Sequence, residues 1–173
     1  MQFSLLSLSV MLAPVALANF QVYCGEWANG IDGAGFAPAC KFFDHTQLSC
    51  SDVLGAVTFY VQNDVSDSKC GGVRCKGCEG DNISDWVVTE LEVNDYQGCT
   101  PSTRYWDTEG SEDPPHFTIY RNGDSVSIIG SNGQGYGTCS VPSDPQGAQC
   151  SDGLGNGFIV HRFDCQSPLS YRV

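Results

Sequence analysis

Apolar and polar residues alternate from Asn19 to Trp27 (NFQVYCGEW) and again from Trp86 to Val93. A period of two is the mark of a half-buried strand. In the second run Val87, Thr89, Leu91 and Val93 fall on one face, and Trp86, Val88, Glu90 and Glu92 on the other. From Asp44 to Val57, Leu48, Val53, Leu54 and Val57 follow helical spacing, which predicts one short helix capped by Asp44 or Thr46 and broken at Gly55. A β-favouring run, Val57 to Val61, comes next. From Phe117 to Gly130 two β-rich runs flank Asn122-Gly123, a dipeptide that supplies the positive φ angles of a two-residue hairpin turn. The stretch FIVHRFDC, Phe158 to Cys165, predicts a last strand. Other segments read as connectors: the glycine-rich NGIDGAGFAP, the polar and cysteine-dense loop from Asn63 to Asn82, and the Gly- and Pro-rich stretch from Ser131 to Gly157. Five or six short strands with one helix predict a mainly β chain, with α+β as the variant. The expected form is a small disulfide-stapled antiparallel sheet or sandwich.

Composition adds a compartment to this picture. The chain has 173 residues with 10 cysteines, 20 glycines and 8 prolines, and only 16% of its residues are charged. Loop-rich chains dense in cysteine belong to oxidising, extracellular surroundings. Residues 1–18, MQFSLLSLSVMLAPVALA, carry an apolar stretch ending in Ala16-Leu17-Ala18, a small-x-small cleavage pattern without a basic start. The expectation is a signal peptide over residues 1–18 and one secreted domain over residues 19–173. No later apolar run approaches the roughly 20 residues of a membrane span. The net charge of −12 argues against phosphate-backbone binding, which needs a basic face.

The cysteines at 24, 40, 50, 70, 75, 78, 99, 139, 150 and 165 form an even set, and five disulfides would use all of them. Cys70, Cys75 and Cys78 at C-x4-C-x2-C spacing also suit zinc, with Cys99 or His45 as a fourth ligand, but the second C-x2-C pair of a zinc ribbon is missing. Redox chemistry at Cys75-Lys76-Gly77-Cys78 would ordinarily sit beside a βαβ pattern, which is absent. The acidic loop from Asp107 to Asp113 has oxygen ligands but not the order of a calcium loop. Structural disulfides are the reading adopted, with no metal and no cofactor.

Catalytic chemistry would rest on His45, His116 and His161, because imidazole titrates near neutrality. No G-x-S-x-G elbow supports a serine nucleophile. One order of residues, His45, then Glu90 or Glu92, then Arg121 (or Arg104), then His161, resembles that of small secreted fungal guanyl-type ribonucleases. That resemblance implies acid–base cleavage of RNA if the four groups converge, although the spacings here are wider.

Binding chemistry is denser. From Glu79 to Asp113 ten acidic residues meet a single basic one, Arg104. Arg104, Tyr105, Trp106, Asp107, Glu109, Glu112 and Asp113 therefore form a candidate acidic, aromatic loop suited to a basic partner or, through its rings, a sugar. Trp86 is expected to cover the sheet. Asn82-Ile83-Ser84 is a formal N-glycosylation site.

The leader followed by a compact, acidic, ten-cysteine chain resembles fungal small secreted cysteine-rich proteins, the group containing many plant-pathogen effectors. The stretch from Cys70 to Cys99, with TELEVNDYQGC, is similar to the secreted α/β killer-toxin family of smut fungi. The first resemblance implies a monomeric virulence protein that binds a host or microbial protein, or a cell-wall glycan, without catalysis. A ribonuclease-like hydrolase, a killer-toxin-like antimicrobial protein and a carbohydrate-binding module are the alternatives.

Overall fold

The protein's structure, a computed structural model, describes residues 18–29, 35–45, 48–65, 72–94, 106–108, 116–152 and 155–171. The expected signal segment lies outside these residues except for Ala18, where the first strand begins.

The strands are β1 (Ala18–Asn29), β2 (Ala37–Phe43), β3 (Phe59–Tyr60), β4 (Gly72–Lys76), β5 (Glu90–Asn94), β6 (Trp106–Thr108), β7 (His116–Asn122), β8 (Ser125–Gly130), β9 (Gly135–Ser140), β10 (Gly147–Ser151), β11 (Gly155–Ser167) and β12 (Leu169–Tyr171). The single α-helix among the described residues, α1, is Cys50–Gly55. The fold is mainly antiparallel β with one short helix, as the pattern predicts. In the main sheet the order is β3-β2-β1-β11-β9-β8-β7-β5-β4, and β10 adds to β11 beside this path. A parallel bridge between Val61 and Val73 joins the two ends, so the sheet nearly closes on itself. Closure matters because it leaves few unpaired edge groups.

The inside of this wall is filled. Phe20, Val22, Phe42, Phe59, Leu91, Val93, Phe117, Ile119, Ile128 and Phe163 pack there in one cluster with Trp106 and Leu169 from the small β6–β12 sheet. On the outer face of β1 and β2, Tyr23, Trp27, Ala39 and Phe43 form a second cluster beneath α1, whose Val53 is fully buried. The Cys50–Cys150 disulfide ties α1 to β10. Lys41 shares this face at 1% exposure; its Nζ donates to Ala56 O at 2.8 Å and stands 4.1 Å from the Trp27 ring.

Several local expectations shift. The helix starts at Ser49, not at Asp44 or Thr46, because Ser49 and Asp52 cap each other reciprocally: the Asp52 amide donates to Ser49 Oγ and the Ser49 amide to Asp52 Oδ2. The hairpin turn is Gly123-Asp124, flanked by the Asn122–Ser125 pair, with Gly123 at φ +61° as its first central residue. That change alters every cross-strand partner yet keeps Val126 and Ile128 inward. Around Thr89 the alternation changes phase: Trp86 and Val88 point into the core, and so do Leu91 and Val93, while Val87 and Thr89 face solvent. The ladder is interrupted there, since Thr89 N donates to Lys76 O and Thr89 O accepts from Arg121 N outside the regular strand pairing.

Among the described residues four disulfides join Cys24 to Cys40, Cys50 to Cys150, Cys75 to Cys78 and Cys139 to Cys165. Cys70 and Cys99 lie outside the described residues. No helix among the described residues is long and apolar enough to cross a membrane.

Candidate functional site

The groups proposed for acid–base catalysis divide: His116, Glu92, Arg74, Glu90 and Lys76 form one connected network, while His45 and His161 are held by other carboxylates. His45 is half exposed, with Nδ1 2.7 Å from Asp44 Oδ1 and Nε2 3.6 Å from Asp52 Oδ2. The Asp44 hydrogen bond, above all, raises its pKa. Glu92 is buried, and its charge is met there: Arg74 Nε donates to its Oε2 at 2.7 Å and His116 Nε2 stands 2.7 Å from its Oε1. Glu90 is held by Arg74 and Lys76 at 2.7 Å each. Arg121 Nε donates to Gly123 O. His161 and Arg121 line one small recess of about 160 Å³ together with Arg162 and Trp86. Neither His45 nor either glutamate reaches it. The four-residue ribonuclease constellation is therefore not assembled.

The candidate acidic loop is also changed. Trp106 is 1% exposed and packs edge-on against Phe20, Phe42 and Phe117, so its ring belongs to the core and is not offered to a partner. Its placement follows from β6 pairing with β12, which sets Trp106 opposite Tyr171. Asp107 pairs in register with Ser170, while Arg104, Tyr105, Glu109, Glu112 and Asp113 lie outside the described residues. Trp86 covers the core as expected, and its Nε1 donates to Gly80 O. Asn82 is exposed; its side chain caps the turn Ile83–Asp85 and donates to Asp85 Oδ2 at 2.8 Å. The Cys75 and Cys78 sulfurs are joined to each other, which removes them as zinc thiolates.

A groove that sequence reasoning missed lies on the outer face of β2, β1, β11 and β9. Strand register builds it: Phe43, Gln21, Asp164 and Ser140 stand in one row across four strands. Lys41, Tyr23 and His161 form the next row on the same face. The space measures about 360 Å³ and is lined by Gln21, Asp44, His45, Thr138, Ser140 and Asp164 among others.

The polar contacts in this groove have a direction. Gln21 Nε2 donates to Asp164 Oδ1 at 2.7 Å, and His161 Nε2 stands 3.1 Å from the same oxygen. The His161 ring stacks on Tyr23 with centroids 4.6 Å apart. Burial, and then the Asp164 charge, push the Tyr23 hydroxyl up, so it stays neutral. With its amide nitrogen committed to a carboxylate, Gln21 turns its oxygen the other way. Gln21 is 6% exposed, yet Oε1 has no hydrogen-bond partner among the described residues. A buried acceptor left unpaired costs about 1–3 kcal/mol, and this oxygen is enclosed by protein rather than open to the groove. Asp164 and Asp44 line the groove and favour a visitor that is positively charged.

The signal for Gln21 was present in the alternation of NFQVYC, which sets it opposite Phe20 and Val22. Nothing in the pattern signalled Asp164, because its facing depends on an irregularity in β11. Comparison with known proteins finds no matching family model, no matching curated protein and no matching solved structure.

Proposed function

We propose that this chain is a secreted, effector-like interaction protein that acts by binding, and that the groove over β1, β11 and β9 receives a cationic side chain of a target protein. The observation that carries this reading is that two carboxylates, Asp164 and Asp44, line one groove, with Asp164 held in place by Gln21 Nε2. A guanidinium or ammonium group would meet the charges of Asp164 and Asp44 and donate to their carboxylate oxygens. The net charge of −12 steers such a partner toward the protein before contact. The disulfides and the absence of a membrane-crossing helix among the described residues fit an extracellular working place. That His45 and His161 are held by Asp44 and Asp164, apart from the network joining His116, Glu92, Arg74 and Glu90, supports binding over catalysis.

Calorimetric titration of the oxidised protein with tetra-arginine tests the reading, with tetra-glutamate and chitin oligosaccharides as comparisons. Saturable binding of tetra-arginine is expected, weakened by salt and reduced about tenfold in Asp164→Asn, a change of about 1.4 kcal/mol. Failure of tetra-arginine to bind overturns it. Selective binding of the oligosaccharide would transfer the groove to the carbohydrate-binding alternative, and RNA cleavage lost in His161→Ala would transfer the protein to the ribonuclease alternative.

A further inference from the structure

Two disulfides meet inside the wall. The Sγ atoms of Cys24, Cys40 and Cys78 all lie within 4.8 Å of one another and are buried. Cys24 and Cys40 are a register pair of β1 and β2, and they share one bridge. Cys78 is bridged to Cys75 in the turn Cys75-Lys76-Gly77-Cys78 at the end of β4. Every sulfur of the group is already in a disulfide, so the cluster has no thiolate to offer a metal ion.

The turn is shaped to hold Cys78 there. Gly77 has φ +87°, and a Cβ at that position would collide with the carbonyl of Val87. Glycine therefore lets the turn lie against the Val87–Val88 backbone, and the next residue returns into the core. The two ends of this bridge differ in access: Cys75 is half-buried, whereas Cys78 is 6% exposed. An entering reagent meets Cys75 first. The leaving sulfur, Cys78, is then in reach of a second, wholly buried disulfide. Among the described residues, neither Cys50–Cys150 nor Cys139–Cys165 has a third sulfur so placed.

We propose that Cys75–Cys78 is a thiol-exchange site whose substrates are small monothiols and whose internal acceptor is the Cys24–Cys40 bridge. A thiolate RS⁻ attacks Cys75 Sγ; the RS–Cys75 bond forms, the Cys75–Cys78 bond breaks, and its electron pair leaves on Cys78 Sγ. The Cys78 thiolate attacks Sγ of Cys24 or Cys40, forming a new disulfide and releasing the other sulfur as a thiolate. That thiolate takes up the proton which the entering thiol gave up. Two disulfides are present before and after, so the exchange needs no further oxidant or reductant. Its result is to exchange a cross-link between β1 and β2 for one between that pair and the end of β4. This activity is independent of the groove on the outer face.

The test treats the full oxidised chain with a limiting amount of reduced glutathione, quenches with acid, alkylates free thiols and maps the cross-links by mass spectrometry. The expected products are glutathione on Cys75, a bond from Cys78 to Cys24 or Cys40, and alkylation of the remaining member of that pair. Recovery of Cys78 as the alkylated thiol with Cys24–Cys40 intact overturns the proposal. So does attachment of glutathione elsewhere while Cys75–Cys78 stays closed. The variant Cys75→Ser gives a second reading without any reagent: its unpaired thiol should be found at Cys24 or Cys40, and a thiol that remains at Cys78 contradicts the relay.

Discussion

His161 and Asp164 stand on the same face of β11 although they are three residues apart, a spacing that in a regular strand would put them on opposite faces. The cause is a bulge. Val22 pairs with Phe163 and Tyr23 with His161, which leaves Arg162 as an extra residue on β11. One added residue shifts the phase, so His161 faces outward with Tyr23 while Phe163 and Cys165 point into the core. The groove thereby gains its carboxylate beside its histidine. The same bulge sends Arg162 toward the turn at Ile83–Asp85, where Nη1 donates to Trp86 O at 2.9 Å and Nη2 donates to Ile83 O.

Arg162→Lys should therefore destabilise the fold by about 2 kcal/mol. Lysine offers one ammonium where arginine's planar fork spans two carbonyls, and an unpaired buried carbonyl costs roughly 1–3 kcal/mol. The urea midpoints of the two proteins measure this, with an unchanged midpoint counting against the contact between the bulge and the turn.

Trp106→Ala is expected to cost about 3–5 kcal/mol, the range for emptying a buried indole site. Its ring lies within 5.2 Å, centroid to centroid, of Phe20, Phe42, Phe117 and Tyr171, and none of these can fill the void alone. Equilibrium unfolding checks the magnitude, and a loss below 1 kcal/mol would return Trp106 to the surface.

These two sites show where the sequence was readable. Alternation in NFQVYC and the β-rich runs from Phe117 to Gly130 marked β1, β7 and β8, because each has one apolar and one polar face. Strand β2, APACKFF, carries apolar residues on both sides since α1 covers its outer face, and its period was therefore hidden. Strands β9 and β10 lie in a Gly- and Pro-rich stretch whose composition resembles a connector; the long β11 recruits them as ladder partners. The cysteine count announced disulfides, while their pairing depended on tertiary placement. Gln21 was legible as a polar-face residue, but the phase change at Arg162 hid Asp164, and β6 pairing with β12 removed Trp106 from the exposed set.

Lys41 gives the fold a dependence on alkaline pH. Burial pushes its ammonium group down to about 8, against 10.5 for an unburied lysine. Between those values the unfolded chain keeps a proton that the folded chain has released, so stability rises with pH by up to about 3 kcal/mol across the interval. Below pH 8 both states are charged and the dependence disappears. Lys41→Met removes the titrating group, and the difference in unfolding free energy between wild type and variant, taken at pH 7.5 and pH 10, isolates it. The wild type should gain on the variant as pH rises; parallel behaviour would contradict a charged amine buried against Trp27 and Ala56 O.

The central claim is that Asp164, held in place by Gln21 Nε2, receives a cationic group, and the side-chain amide of Gln21 reports on it directly. The measurement is a titration of the isotope-labelled, oxidised protein with tetra-arginine, followed through the Gln21 Nε2 resonances in wild type and in Asp164→Asn. A saturable shift of those resonances in the wild type, much reduced in the variant, is the predicted result. Resonances that stay fixed while tetra-arginine is added, or that move equally in both proteins, would contradict the claim.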